Sequence, residues 1–401
     1  MYQVALSAAA IAAVGLGQAT AGWLAARRFA AAEPPPPGAR PPISVLKPLH
    51  GDEPLLEAAL GSMCRQNYPR FQLVFGVHDE RDPAAAVVER LRARFPAADI
   101  SLVINPAQHG ENHKIGNLIN MLPAAKYDLL VIGDSDVHAA PDYLASIADT
   151  LALPGTGLAT TLYAGLAANR SLAARLGATA ISHSFLPGAL LSRALGRQDC
   201  LGATMALRRE TLEAIGGLGT LVHHLADDNV LGHLVRARGL KVRLAPSVCA
   251  TTVPEDGLRA LFRHELRWAR TIRALVPAEF AASAIQYPLA WAALAVAASG
   301  GAAWAAAGFL LAWAWRAALA SRLDARLGLV QSGLATPAPL WLLPLRDLLS
   351  LAVVAASYLG DEVEWRGQVL HTGLDRSERA AAAAGGDARH TSGVTFGRLS
   401  R

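Results

Sequence analysis

The stretch "DLLVIGDSDV", Asp128 to Val137, runs an apolar, strand-like segment directly into two acids, Asp134 and Asp136. Residues i and i+2 at an extended strand end point the same way, so both carboxylates are expected to face one hard divalent cation, Mg²⁺ or Mn²⁺, bound through oxygen. Such an ion removes their mutual repulsion and neutralises a departing diphosphate. Asp-x-Asp is also an ordinary polar turn, because Asp and Ser favour turns. The buried-type run before it and further acids elsewhere weigh toward a site. A second apolar run, "FQLVFGVHDE", ends at Asp79. Downstream, Asp227 and Asp228 open an amphipathic helical pattern in "HHLADDNVLGHLVRARG", a placement that the helix dipole also favours. In "FRHELRWARTIR", Arg263, Arg267, Arg270 and Arg273 recur at helical spacing beside Trp268, the pattern of a basic interfacial helix.

Positioning these groups requires a sheet. From about Ile43 to Arg273, short apolar runs alternate with amphipathic helical patterns, as in parallel α/β domains. "ISVLKPL" reads as a first buried strand, "PLLEAALGSMCRQ" as a helix, "FQLVFGVHDE" as a strand, "DPAAAVVERLRARF" as a helix and "DLLVIGDSD" as a later strand. Ligands of such sheets sit outside the carboxyl ends of the strands, where Asp79, Asp134 and Asp136 fall.

The 401 residues are 52% hydrophobic and only 17% charged, which points to a membrane protein. Residues 1–26 carry no charged side chain and are followed by Arg27 and Arg28. A secretory signal has its positive charge before the apolar core, so this segment reads as an uncleaved transmembrane anchor with its C-terminal end in the cytoplasm. Residues 27–42 include the Pro-rich "EPPPPGARPP", expected to be a stiff spacer. The net charge of +5 is scattered among apolar segments without aromatic interleaving, which favours a bilayer surface and excludes nucleic acid as the partner. Cys64, Cys200 and Cys249 are too widely spaced for a zinc ribbon or a disulfide framework. No charge interrupts the chain between Glu279 and Arg316, a length that suits a helical hairpin turning at Ser299 to Gly301. Pro339 to Gly360 contains Arg346 and Asp347, expected either to span with an internal ion pair or to lie re-entrant. The segment "SLAARLGATAISHSFLPGALLSRALGR" is expected to lie in the interface and line an acceptor route; His183 within it is either an acceptor contact or a satisfied structural histidine. Residues 361–401 read as a cytosolic or disordered tail.

Taken in order, "VLKPLHGDEP", "QNYP", "HDERDPA", "NHKIGNL", "AKYDLLVIGDSDV", "LADDNVLG" and "HELRW" resemble the membrane glycosyltransferases of the ceramide glucosyltransferase type, family 21, over most of residues 43–275. The resemblance implies the GT-A nucleotide-sugar-binding fold, an α/β Rossmann-like mixed sheet, in a cytosolic domain at residues 43–275, with transmembrane helices at both ends, the second set at 276–360. It implies that Asp79 contacts the nucleotide base, that Asp134 serves the metal and diphosphate, that Asp228 is the catalytic base, and that Lys114 lies near the nucleotide. The family's Gln/Arg-x-x-Arg-Trp motif falls on His264, Arg267 and Trp268, groups implied at the leaving group or acceptor. Two departures, His264 in place of Gln or Arg and Asp136 in place of a small residue, point to a bacterial branch and hence to a multi-pass protein of the bacterial inner membrane. "HELRWARTIR" and "ALRRETLEAIGG" look most like hopanoid-associated glycosyltransferases, whose donor is UDP-N-acetylglucosamine and whose acceptor is bacteriohopanetetrol.

The implied reaction is inverting transfer of one sugar from a UDP-sugar to a lipid hydroxyl. A ceramide glucosyltransferase using UDP-glucose is the nearest alternative. A processive polysaccharide synthase is expected to carry Gln at position 264 and more spans. A non-catalytic lipid-binding scaffold has no reason to keep Asp79, Asp134, Asp136 and Asp228 together.

Overall fold

In the computed structural model, apolar runs and amphipathic segments alternate as strands and helices after a long helix, α1 (Tyr2–Phe29). The structure describes residues 1–360 and the backbone of a short hairpin, Glu362–Trp365 with Gln368–His371. The rest of the tail expected at 361–401 lies outside the described residues. The order after α1 is β1 (Ile43–Pro48), α2 (Leu56–Cys64), β2 (Phe71–Val77), α3 (Pro83–Arg94), β3 (Asp99–Ile104), α4 (His113–Met121), β4 (Leu129–Gly133), β5 (Val137–His138) and α5 (Tyr143–Ala152). Then follow β6 (Thr156–Ala167), α6 (Leu172–Ala180), α7 (Leu186–Ala194), β7 (Thr204–Arg208), α8 (Arg209–Ala214), α9 (Asp227–Ala237) and β8 (Lys241–Val253).

Eight strands form one sheet in the order β3-β2-β1-β4-β7-β6-β8-β5. The first four are parallel, whereas β7 runs antiparallel to both of its neighbours. The parallel run therefore ends at β4, and the sheet is mixed, as the resemblance implies. The chain leaves β4 through Asp134 and pairs as β5 with the far end of β8, so one edge of the sheet curls back over the end of β4. β1 is buried along its whole length, as expected of a strand covered on both faces. One face packs Leu60, Val88, Leu91 and Tyr143 from α2, α3 and α5; the other packs Ile115, Leu118, Leu231 and Val235 from α4 and α9. Helix starts are capped where the sequence supplies short polar side chains. Asp82 accepts from the Ala84 amide ahead of Pro83, and Asn112 accepts from the Ile115 amide at 3.1 Å.

Beyond β8 lie α10 (Leu258–Leu275), α11 (Pro277–Ser283), α12 (Pro288–Ala298), α13 (Ala303–Leu327) and α14 (Leu343–Ser357). Tyr2–Phe29, Ala303–Leu327 and Leu340–Ser357 are long and apolar enough to cross a bilayer; Pro277–Gln286 and Pro288–Ala298 form a fourth candidate, bent by 67°. The α12–α13 hairpin turns at the expected glycines, with φ of 68° at Gly300 and 81° at Gly301, values that favour residues without a Cβ.

Several expectations about packing change. Arg346 and Asp347 do not pair with each other, since consecutive helix residues point about 100° apart. Arg346 instead makes a bidentate pair with Glu265 of α10, both contacts at 2.7 Å. Asp347 accepts from the Leu289 amide and lies 3.6 Å from Arg316. The Pro-rich segment is more than a spacer: Arg40 and the Gly38 amide bind Asp149 of α5, and the Tyr68 hydroxyl donates to the Pro41 carbonyl. The segment expected in the interface folds as α6 and α7 joined by a π-helical turn, Ile181–Phe185, and one side of it packs on neighbouring helices and the sheet. Gly177 abuts Val253 and Leu261, and Gly22 of α1 abuts Pro187. Of the helical arginine row, Arg263 is exposed, but Arg273 lies over the Tyr358 ring and donates to the Gly360 carbonyl.

The Arg346–Glu265 pair ties the candidate span that includes α14 to α10. Arg346→Ala is expected to destabilise the protein by about 3–5 kcal/mol by leaving a carboxylate buried without its partner. Arg346→Met combined with Glu265→Leu should recover most of that loss. Denaturant unfolding in detergent micelles measures both; a double variant as unstable as the single one contradicts the assignment.

Candidate active site

The carboxyl ends of β1, β2 and β4 and the N-terminal ends of α4 and α9 converge, and one ammonium lies among their acids. Lys114, on the first turn of α4, approaches Asp134 at 2.7 Å and Asp227 at 3.5 Å. Burial works to lower its pKa, but Asp134 and Asp227 outweigh burial and hold Lys114 above the ordinary lysine range. Asn112 caps α4 and anchors this end, donating to the His224 carbonyl at 2.8 Å next to the start of α9.

Asp228 stands beside Asp227 and is half-buried. Its Oδ1 accepts from the Asn229 amide at 2.7 Å, and a methyl group at Gly202 would lie 3.0 Å from its Oδ2. Gly202 therefore makes room for the carboxylate. Burial, then the charge of Asp227, pushes Asp228 up to about 6, while Lys114 pulls the other way. Tyr163 of β6 also senses this charge: burial, then Asp228, raises its phenol above the ordinary range.

Asp134, Ser135 and Asp136 form a turn between β4 and β5, so the same-side argument for an extended strand end does not apply. Their carboxylates take different partners, Asp134 binding Lys114 and Asp136 accepting from Thr251 of β8. Burial, then the charge of Asp134, raises Asp136 to about 6. Beneath the turn, the fully buried Lys47 of β1 donates to the carbonyls of Asp134 and Val137, and burial pushes it down to about 8. Ser135 donates to Glu53. Two hard carboxylates that destabilise each other's charge suit a divalent cation whose other ligands are diphosphate oxygens. Among the described residues no third His, Cys, Asp or Glu completes an all-protein metal cage.

These groups open on a cleft of about 260 Å³ whose wall includes Glu53, Lys114, Asp134, Asp136, Thr252 and His264. His264 binds the buried Glu255 through Nδ1, leaving Nε2 as the nitrogen that can meet a ligand, and its ring lies edge-on to Trp268 at 4.6 Å. Burial tends to raise Glu255, but the His264 hydrogen bond prevails and holds it below the usual range. Asp79, Asp228, Arg267 and Trp268 are not part of the cleft wall. Asp79 is exposed past the end of β2, accepting from the Arg81 amide, while its neighbour His78 lies 6.3 Å from His113, at the start of α4. Arg267 acts on Glu255 electrostatically, and Trp268 is partly exposed. The acids at strand ends were readable from sequence; Lys47, Glu53, Gly202, Thr251 and Glu255 were not singled out. Only Lys47 left a signal, a charge inside the otherwise apolar "ISVLKPL".

Comparison with known proteins gives this geometry a family. Ceramide glucosyltransferase 1 of Caenorhabditis elegans is 24% identical over 237 residues, 59% of this chain and 51% of that protein. The ceramide glucosyltransferase of Komagataella phaffii is 34% identical over 113 residues, 27% of this chain and 22% of that one. An N-acetylglucosaminyltransferase of Rhizobium leguminosarum bv. viciae is 24% identical over 239 residues, 58% of this chain and 55% of that protein. The chain thus spans about half, or less, of the length of these curated relatives. In fold it is similar to a mannosyltransferase from Pyrobaculum calidifontis solved with GDP-Man and Mn²⁺, with a TM-score of 0.53 and 22% identity over 89% of this chain and 99% of that one. The family model for glycosyl transferase family 21 matches residues 6–377, nearly the whole chain, and the mixed sheet is that of a GT-A glycosyltransferase; the chain belongs to glycosyl transferase family 21.

Proposed function

We propose that the protein transfers a single sugar from a UDP-sugar to the hydroxyl of a membrane lipid, with inversion, and that Asp228 is the base. The observation that carries this reading is the half-buried Asp228 at the start of α9, beside Asp227 and within the field of Lys114 and Asp134, two residues of the acid-lined cleft wall, and raised to about 6. A base with a pKa near the working pH is mostly ionised yet still accepts a proton readily. The lipid oxygen forms a bond to the anomeric carbon as the bond to the diphosphate oxygen breaks, and the hydroxyl proton passes to Asp228.

Asp79 would meet the nucleotide base, and Lys114 would hold Asp134 in place and face the diphosphate. Arg267, with His264 beside it, would offset charge on the leaving group, and Trp268 would offer an apolar face to acceptor or sugar. Asp134 and Asp136 would hold Mg²⁺ or Mn²⁺, which when bound supplies positive charge to the leaving diphosphate. The mannosyltransferase of similar fold was solved with Mn²⁺ and a nucleotide sugar, which supports that cofactor class. UDP-N-acetylglucosamine as donor is supported by the Rhizobium relative; bacteriohopanetetrol as acceptor rests on the "HELRWARTIR" and "ALRRETLEAIGG" resemblance. The ceramide glucosyltransferase relatives support a second reading, UDP-glucose and ceramide. The candidate spans support a multi-pass protein, and the positive charge at Arg27 and Arg28 after the first of them supports a cytoplasmic catalytic domain on a bacterial inner membrane.

Asp228→Asn should bind UDP as the wild type does and lose about 10²- to 10⁴-fold in transfer, read by calorimetry and turnover together. Near-normal turnover would exclude Asp228 as the base. The base must be deprotonated, so kcat/KM should fall as pH drops through about 6. Lys114 stabilises the ionised base, so Lys114→Met should move that acidic limb to higher pH; a limb that stays in place separates Lys114 from the base. Chelation should abolish transfer, and Asp134→Ala should do the same. Asp136→Ala should retain a remnant that high Mn²⁺ partly restores, and equal, unrescued losses would give both acids the same role.

A further inference from the structure

Glu255 lies between β8 and α10, and its backbone is pinned on both sides. The Ser171 hydroxyl, which caps α6, donates to the Glu255 carbonyl at 3.0 Å, and the Ala168 amide donates to the Val253 carbonyl at 3.0 Å. The Glu255 side chain keeps 8% of its surface, whereas His264 keeps 32% of its own in the cleft wall. Glu255 Oε1 accepts from His264, and among the described residues the buried Oε2 has no hydrogen-bond partner. The imidazole is therefore the main partner of this carboxylate. A carboxylate only accepts, so His264 Nδ1 carries a hydrogen and Nε2 is the ring atom left for the cleft. The Trp268 ring, 4.6 Å away and inclined by 72°, restrains the plane of the imidazole.

With Nδ1 engaged, Nε2 has two states. Neutral, it accepts a hydrogen bond; protonated, it donates one. A diphosphate held by a divalent cation presents only acceptors, so it selects the protonated ring. Glu255 stabilises that cation from the far side of the ring. Of the charged groups in the cleft wall, Glu53, Asp134 and Asp136 also favour the cation, Lys114 opposes it, and His113 shares the wall. Arg267, on the same helix, acts on Glu255. The helices packed on α10 are α6, α11 and α14. Arg346 of α14 is taken by Glu265, Glu279 of α11 lies 3.9 Å from Arg197, and Arg175 is the titratable residue of α6.

We infer that Glu255 is a positioning residue that lets His264 take up a proton when the diphosphate binds, so that Nε2–H donates to a diphosphate oxygen. This rests on the transferase reading above. In transfer, the bond from the anomeric carbon to the diphosphate oxygen breaks and its electron pair stays with that oxygen. The proton stays on Nε2, and its hydrogen bond strengthens as negative charge grows on the leaving group. When UDP departs, the ring returns the proton to solvent.

The test compares the full chain with Glu255→Gln, His264→Gln and the double variant, each binding UDP with Mn²⁺ in detergent micelles. Gln at position 264 carries an amide N–H that donates without a proton from solvent. Titration calorimetry near neutral pH, in two buffers of different ionisation enthalpy, reads the protons taken up. The wild type should take up more than His264→Gln, and Glu255→Gln should lose most of that excess. Glu255→Gln should weaken UDP binding about tenfold in the wild type and by less than about twofold in the His264→Gln background. A Glu255 that only supports the fold would weaken binding equally in both backgrounds, and equal proton uptake by wild type and His264→Gln would remove the protonated ring; either result overturns the inference. If the wild type transfers sugar while giving either result, the transferase reading stands without the dyad. If the linkage appears as expected but no donor is used, the transferase reading fails and the diphosphate contact stands.

Discussion

The catalytic domain depends on one charge placed among several of opposite sign. Asp134 leaves the sheet at β4, while Asp227 and Asp228 start α9, and no fold brings three carboxylates this close without a counter-charge. Lys114 supplies it from the first turn of α4. This position is not the one a helix dipole favours, because a cation at a helix N-terminus is repelled by it. The acids compensate, which makes α4, β4 and α9 mutually dependent. Lys47 performs a second balancing task below, where its buried ammonium binds the carbonyls of the Asp134 turn and lies within reach of the fields of Asp134 and Asp136. The turn is thereby held from its backbone, and its carboxylates stay available to the cleft.

The same logic governs how the C-terminal apolar helices meet the sheet. A buried guanidinium in α14 is tolerated because Glu265 takes it with two hydrogen bonds and Ser350 with two more. Arg316 and Asp347 are similarly matched across α13, α12 and the π-helical turn. Paired charges of this kind contribute little net stability compared with apolar packing, but a wrong pairing leaves a charge stranded, so they favour one arrangement over others.

Much of the first half of the domain was legible because β1, β2 and β4 are short, mainly apolar runs set between helices, two of which, α3 and α4, carry side-chain caps at Asp82 and Asn112. Acids that follow such runs stand out against them, which is why Asp79, Asp134 and Asp136 were found. The mixed half was less legible. β6 and β8 are long and carry Thr, Gly, Ala and Pro, β5 has two residues, and the antiparallel β7 owes its direction to tertiary pairing with β4. Partners were least legible where sequence separation is large. Arg346 finds Glu265 across 81 residues, and Asp149 finds Arg40 across 109, and neither spacing is a motif. The Asp-Ser-Asp segment shows that two readings can hold together: it is a turn, as its composition favours, and it presents two acids to the cleft.

Helix α10 explains how the candidate site and the C-terminal apolar helices can share one element. Consecutive residues project about 100° apart, so His264 turns to Glu255 and the cleft while Glu265 turns to Arg346 in α14. A rotation of α10 that improved one contact would spoil the other. The π-helical turn divides its residues in a comparable way, with Ser182 and Phe185 packed on β6 and His183 bonded to Asp324 and Arg316 of α13. The extra residue of a π turn widens the helix locally and resets the faces on either side, which lets α6 pack on the catalytic sheet while α7 packs on α1. The packing of the candidate spans and the geometry of the candidate site are therefore set by the same few turns of helix.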